Sequence, residues 1–419
     1  MSTRLLVLSI ILAGLMALPL ETPVWGQAET RAEEIGFLRR DKTAQLWPET
    51  QSPLVDKLNK LVDRGLYEGF ENTKGTNGWQ IVLGGMRSGQ GTTAGIGYRR
   101  SDLWHDRLGF RSTVRGTIWG AVMLDMGLDF QSLRTERSFI QLYAKYENSP
   151  RMDYYGQGQD SEEDDRTSFR LEDYGVDMDA GYELFKRFKI GGTLGYYHVH
   201  TGHGHRGGVP SIEEIFTSED TPGLRQDTGF FRYGLFAQYD YRDSIAGPRS
   251  GGFYAVRHRR YEDLDLDQFG FHQLEIQAQQ YLPYWNKTRV IALRFATIMS
   301  FPEDGQAIPF YLQPTLGGND SLRGFERYRY YDDHAVMFTA EHRWYVFSGL
   351  DMAVFADAGK VVPRKGHINF GHLSVSGGVG FRFRIQNAVV MRVDFAFSEE
   401  SARVCWTFSD IFKAEGWKW

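Results

Sequence analysis

The chain has a single cysteine, Cys405, in 419 residues, so no internal disulfide contributes to its stability in any compartment. Its 13 prolines are too few to interrupt a regular strand pattern often. Past residue 25 no apolar run approaches the roughly 18–20 residues a spanning helix needs, which excludes a helical membrane protein. A basic excess is missing as well. Lys and Arg number 48 against 53 Asp and Glu, a formal net charge of −5, which argues against nucleic acid as a partner. The G-x-S-x-G, H-E-x-x-H and P-loop patterns are all absent, so no enzyme activity, catalytic residue or cofactor is expected.

Glycine and aromatics are what the chain has in plenty: 47 Gly, 29 Phe, 22 Tyr and 10 Trp. That aromatic content excludes a disordered chain and suits an all-β protein of many strands. Trp and Tyr also gather where lipid meets water.

At the N-terminus, Arg4 precedes the apolar core LLVLSIILAGLMALPL (5–20), and small residues follow at Gly26 and Ala28. This pattern predicts a secretory signal peptide over residues 1–26. Residues 27–77 are polar and mixed, with room for one amphipathic helix in PLVDKLNKLVDRGLYEGF (53–70). They are too few for a domain of the usual ~100–150 residues and read as a short periplasmic segment.

From Trp79 onward, apolar and polar residues alternate with period two, the mark of strands with two different faces. In 272–281, Leu274, Ile276 and Ala278 lie opposite Gln273, Glu275, Gln277 and Gln279. In 389–397, Val389, Met391, Val393, Phe395 and Phe397 lie opposite Arg392 and Asp394. Sixteen such segments are predicted: 79–87, 91–101, 108–117, 120–130, 138–147, 166–180, 185–200, 229–241, 251–260, 268–281, 287–300, 334–347, 350–359, 371–384, 387–397 and 402–412. Many reach the 9–11 residues a tilted strand needs to cross a bilayer. An even count is what a single-chain barrel requires, because closure satisfies every edge amide in hydrocarbon.

Loop lengths point the same way. With both termini in the periplasm, the long connections 148–165, 201–228, 301–333 and 360–370 are all extracellular, and the even-to-odd links are short. A soluble sandwich has no reason to segregate loops by parity. The predicted fold is therefore a 16-stranded antiparallel transmembrane β-barrel over 78–412, with a C-terminal tail at 413–419.

Loop 301–333, the sixth extracellular loop, contains SLRGF (321–325). A permanently charged Arg323 beside Gly324 and Phe325 has no evident purpose in open solvent. Folded into the lumen, it demands a carboxylate. Inward positions on the next two strands supply two, Glu341 and Asp357, while Phe355 and Gly359 share the inward face of FADAG (355–359). Two such carboxylates fit the fork of one guanidinium.

The loop motif SLRGF, the strand with Glu341 and Arg343, and FADAG resemble those of the bacterial surface-antigen family, in the superfamily of outer-membrane assembly barrels typified by BamA and TamA. DYYGQGQDS (153–161) and DSIAGPRSGGFYAVRHRRYED (243–263) resemble further stretches of that family, and the resemblance covers about 79–412. It implies a sixth loop that enters the lumen, with Arg323, Gly324 and Phe325 at its tip and Glu341 and Asp357 receiving the arginine. It also implies a weak seam between the first and last strands, outer-membrane lipid as surroundings, and client outer-membrane proteins or a periplasmic partner. Two features depart from the family. Residues 27–77 cannot hold one intact periplasmic repeat domain, and the last strand, ARVCWTFSDIF, lacks the usual glycine of the terminal sorting pattern. The functional expectation is outer-membrane protein assembly or translocation; the alternative is a loop-plugged transport or structural pore.

Two weaker patterns read as solvated loops. His198, His200, His203 and His205 cluster without a completing cysteine or close carboxylate, and DSEEDD (160–165) lacks EF-hand spacing, so no metal site is expected.

Overall fold

The computed structural model describes residues 77–408, apart from 88, 132–136, 348, 364–370 and 386–387. The signal peptide, the amphipathic helix in 53–70 and the tail at 413–419 lie outside the described residues.

The wall is built from β1 (Gly78–Leu83), β2 (Thr93–Leu103), β3 (Leu108–Thr117), β4 (Val122–Gln131), β5 (Ser138–Tyr154), β6 (Thr167–Phe185), β7 (Phe188–His203), β8 (Thr228–Asp240), β9 (Gly251–Asp263), β10 (Phe271–Tyr284) and β11 (Arg289–Pro302). A lumenal pair of two-residue strands, β12 (Thr315–Leu316) and β13 (Tyr330–Tyr331), follows. The wall then resumes with β14 (His334–Phe347), β15 (Leu350–Val362), β16 (Ser374–Ile385), β17 (Ala388–Ser398) and β18 (Ala402–Thr407). Each wall strand pairs antiparallel with the next, giving one 16-stranded sheet in chain order.

Every predicted segment is a strand, and the differences lie at the ends. β5, β6 and β7 run 17, 19 and 16 residues, because their extracellular halves continue past the bilayer and pack against loops. At ~3.3 Å per residue, β6 is about 60 Å long, well beyond the ~30 Å hydrocarbon core even when tilted. The edge strands β1 and β18 have only six residues each.

The sheet is not closed. Among the described residues no ladder joins β1 to β18, although the two edges come near each other: a Cβ on Gly84 would lie 3.9 Å from Phe408. The loop-parity expectation has one exception too. The even-to-odd link 241–250 between β8 and β9 is ten residues long, whereas Trp104–Arg107 and Lys186–Arg187 make tight turns.

The outer face is apolar where the strands cross lipid. Ile81, Ile96 and Val114 stand exposed on β1 to β3, Leu235 and Val256 on β8 and β9, and Val404 on β18. A continuous apolar band of this kind marks contact with hydrocarbon. The largest core lies inside, in the extracellular half, where Phe169, Val199, Phe230 and Phe271 from the wall pack on Phe310 and Tyr331 of the sixth loop. Burial of that loop, not the wall alone, fills the lumen.

Candidate functional site

The sixth loop leaves β11, forms the β12–β13 pair and sends its tip toward β14–β17. Leu316, Leu322 and Phe325 anchor it by packing with Tyr330, Met337 and Val361 in a second buried cluster. Phe325 is wholly buried, its ring 5.8 Å from that of Tyr330. Gly324 sits at φ +101°, a region L side chains avoid, and a Cβ there would approach Ser376 and Ser398 at 3.3 Å. Its carbonyl accepts from the hydroxyls of Ser398 and Ser401, both at 2.8 Å.

Arg323 is completely buried, and its guanidinium is fully engaged. Nε donates to Asp357 Oδ2 at 2.8 Å and Nη2 to Oδ1 at 2.9 Å. Nη1 donates to Glu341 Oε1 at 2.6 Å and to Asp394 Oδ2 at 3.1 Å. Its face lies 3.4 Å from the ring centroid of Phe355, which adds a cation–π contact in a desolvated setting. Gly359 leaves room beside the tip: a Cβ there would stand 3.1 Å from Leu316 and 3.3 Å from Leu322. The structure thus brings all seven sequence-predicted residues to one place.

The network is larger than the sequence indicated. Glu341 also accepts from Arg343 Nε at 2.7 Å and from Arg382 Nη2 at 2.8 Å. Asp394 pairs with Arg382 and, at 3.3 Å, with Arg392 Nε. Arg382 and Arg392 are register partners on β16 and β17, so two like charges face each other directly. Asp394 lies between them. Arg392 Nη2 also donates to the Asn319 carbonyl at 2.6 Å, tying β17 to the loop. Alternation already puts Arg392 and Asp394 on one face; what it does not show is that Asp394, on β17, bonds Arg323 of the loop and is itself paired with Arg392.

The loop reaches the last strand as well. Asn319 Nδ2 donates to the Trp406 carbonyl at 3.1 Å, and Arg403 pairs with Glu326. On the extracellular side Arg329 Nε donates to Glu400 at 2.9 Å, and Gln157 Nε2 donates to Asp332 Oδ1 at 2.9 Å. Burial pushes the carboxyls of Asp332 and Glu400 up from their ordinary values.

The histidines lie apart from this site: His200 pairs with Asp227, His203 meets Glu213 at 2.8 Å, and His198 stacks on Tyr174. Among the described residues no three His, Cys, Asp or Glu side chains converge as metal ligands. DSEEDD forms a short exposed turn around Glu163–Asp165. Chemically, the ion network is a lock. It fixes a loop inside a wall, and its arginines and carboxylates are held by one another.

The model of the Omp85 superfamily domain matches residues 78–409. No curated protein matches the chain significantly. Among solved structures, BamA from Haemophilus ducreyi lacking POTRA domains 1–3 is similar at a TM-score of 0.59 and 15% identity, over 85% of this chain and 78% of that one. CdiB from Escherichia coli is similar at a TM-score of 0.51 and 12% identity, over 78% of this chain and 61% of that one. At such identities the likeness is one of fold. The family match covers the whole described sheet and its lumenal loop, and by it the chain belongs to the Omp85 superfamily, with the superfamily's outer-membrane β-barrel fold.

Proposed function

We propose that this chain resides in the bacterial outer membrane and serves outer-membrane protein assembly or translocation, together with a separate periplasmic partner. One observation carries the reading: fifteen neighbouring strand pairs are zipped, while β1 and β18 share no ladder among the described residues. An unpaired edge offers amide and carbonyl groups to an incoming strand, and strand addition is a general way of recognising extended chains. Such templating needs no covalent step, so the protein is read as a non-enzyme. The test is a depletion strain followed by a census of outer-membrane proteins. Loss of a defined set of barrels supports the reading, and an unchanged census sinks it.

A second reading rests on the buried loop. A lumen filled by the sixth loop also fits a plugged transport or structural pore. Conductance in planar bilayers that rises when 303–333 is removed, with an unchanged census, favours that reading.

A further inference from the structure

The turn 241–250 opens the stretch DSIAGPRSGG, whose role neither reading explains. It is long for its side of the sheet, and it is internally ordered. Asp243 N donates to the Ser250 carbonyl at 3.0 Å, and Asp243 Oδ1 accepts from the amides of Arg249 and Ser250 at 2.9 and 3.1 Å. Gly251, at φ +94°, lets the chain fold back on Tyr241: a Cβ would stand 2.2 Å from the Tyr241 carbonyl oxygen.

The turn does not stay beside its own strands. Arg249 Nη2 donates to both oxygens of Asp351, on β15, at 2.6 and 2.7 Å. Arg384 on β16 donates to the same carboxylate at 3.2 Å, and its Nη2 reaches the Gly247 carbonyl at 3.4 Å. Val389 N, on β17, donates to the Ala246 carbonyl at 2.9 Å. β10, β11 and β14 separate β9 from β15 in the sheet, so these contacts run along a chord beneath the lumen, not around the wall. Midway, Arg249 Nη1 donates to the Lys287 carbonyl at 2.8 Å. On the inner wall at this end, Tyr281, Val290 and Ala292 form a small core almost wholly shielded from solvent.

From this geometry we infer that 241–250 is a latch across the periplasmic mouth, with Asp351 as its catch and Arg249 and Arg384 as the two cations it holds. A strand ladder has a hydrogen bond at every second residue on each side, whereas the far end of this turn is held by one carboxylate and two main-chain carbonyls. The carboxylate itself is buried, 3% exposed, whereas the Arg249 arm that reaches it is 20% exposed. Arg249 is the member that can leave, because the buried carboxylate stays paired with Arg384 when it does. The catch shares strands with the lumenal lock: Asp351 and Asp357 both lie on β15, and Arg384 and Arg382 both lie on β16. Latch and lock thus bear on the same two strands, and on β16 their arginines are only two residues apart. Entry of a solute or a chain from the periplasm requires the latch to release, under either functional reading.

The test places a reporter in the small core at the periplasmic end of the wall, on β11 close to the Lys287 carbonyl that Arg249 holds. Val290→Cys, in a Cys405→Ser background in detergent-solubilised folded protein, is exposed to a water-soluble maleimide. The parent turn is expected to shield the thiol. Arg249→Ala is expected to raise the labelling rate severalfold while heat-modifiable gel mobility is kept. Asp351→Asn, which preserves side-chain size, is the second variant and is expected to do the same. Equal labelling in parent and in either folded variant overturns the latch.

Discussion

Arg323 and Asp357 meet as a two-armed fork inside the lumen, Nε to Oδ2 at 2.8 Å and Nη2 to Oδ1 at 2.9 Å, with both side chains excluded from solvent. Removing either partner strands the other charge in a dry setting, at a cost of roughly 3–5 kcal/mol. Arg323→Ala and Asp357→Ala are therefore expected to impair folding and abolish heat-modifiable mobility. Arg323→Lys is expected to recover little, because an ammonium cannot serve three carboxylates in fork geometry. Alanine variants that fold and migrate like the parent would exclude the lock.

Gly324 gives a smaller, geometric prediction. At φ +101°, and with Ser376 and Ser398 close by, an added methyl is strained and crowded. Gly324→Ala is expected to lower stability by about 1–3 kcal/mol. A urea midpoint equal to the parent's would show that the tip is held less tightly than the contacts imply.

Asp394 separates two facing arginines, Arg382 and Arg392. Asp394→Asn leaves those like charges opposed, and direct opposition across a strand pair is destabilising. Adding Arg392→Gln removes the opposition and is expected to restore part of the loss. A double-mutant cycle in urea measures the coupling, and strict additivity of the two changes would refute it.

Asp332 supplies a pH prediction. Burial holds its carboxyl above the ordinary 3.8, so the folded loop binds this proton more readily than the unfolded chain does. Its cost is fully present above the folded value and is relieved as pH falls through it toward 3.8; stability from this group falls as pH rises through the same window. Protease nicking of the extracellular loops is thus expected to slow in that window on acidification. Asp332→Asn keeps the acceptor for Gln157 and is expected to flatten this part of the profile. The difference between the two proteins isolates this group, and identical pH profiles would count against it.

Alternation made the wall readable. In lipid the two faces of a strand meet different solvents, so the period-two pattern in stretches such as 389–397 carries both existence and orientation. Predicted boundaries at 108–117 and 334–347 coincide with β3 and β14. The extracellular ends of β5 to β7 were not readable in the same way. Where both faces pack against loops, as around Tyr154 and Phe169, the alternation disappears.

By itself the sequence determined the number of wall strands, the face each residue presents, and the demand that a buried Arg323 find carboxylates. Those are local consequences of solvent on two sides and of charge in a dry place. Only the tertiary structure decided that Asp394 joins Glu341 and Asp357, that Arg382 and Arg392 face each other, that β1 and β18 remain unzipped, and that a ten-residue turn crosses to Asp351. Each of these depends on which strands curve toward one another across the lumen. That distance is set by the curvature of the whole sheet, and no short stretch of sequence encodes it.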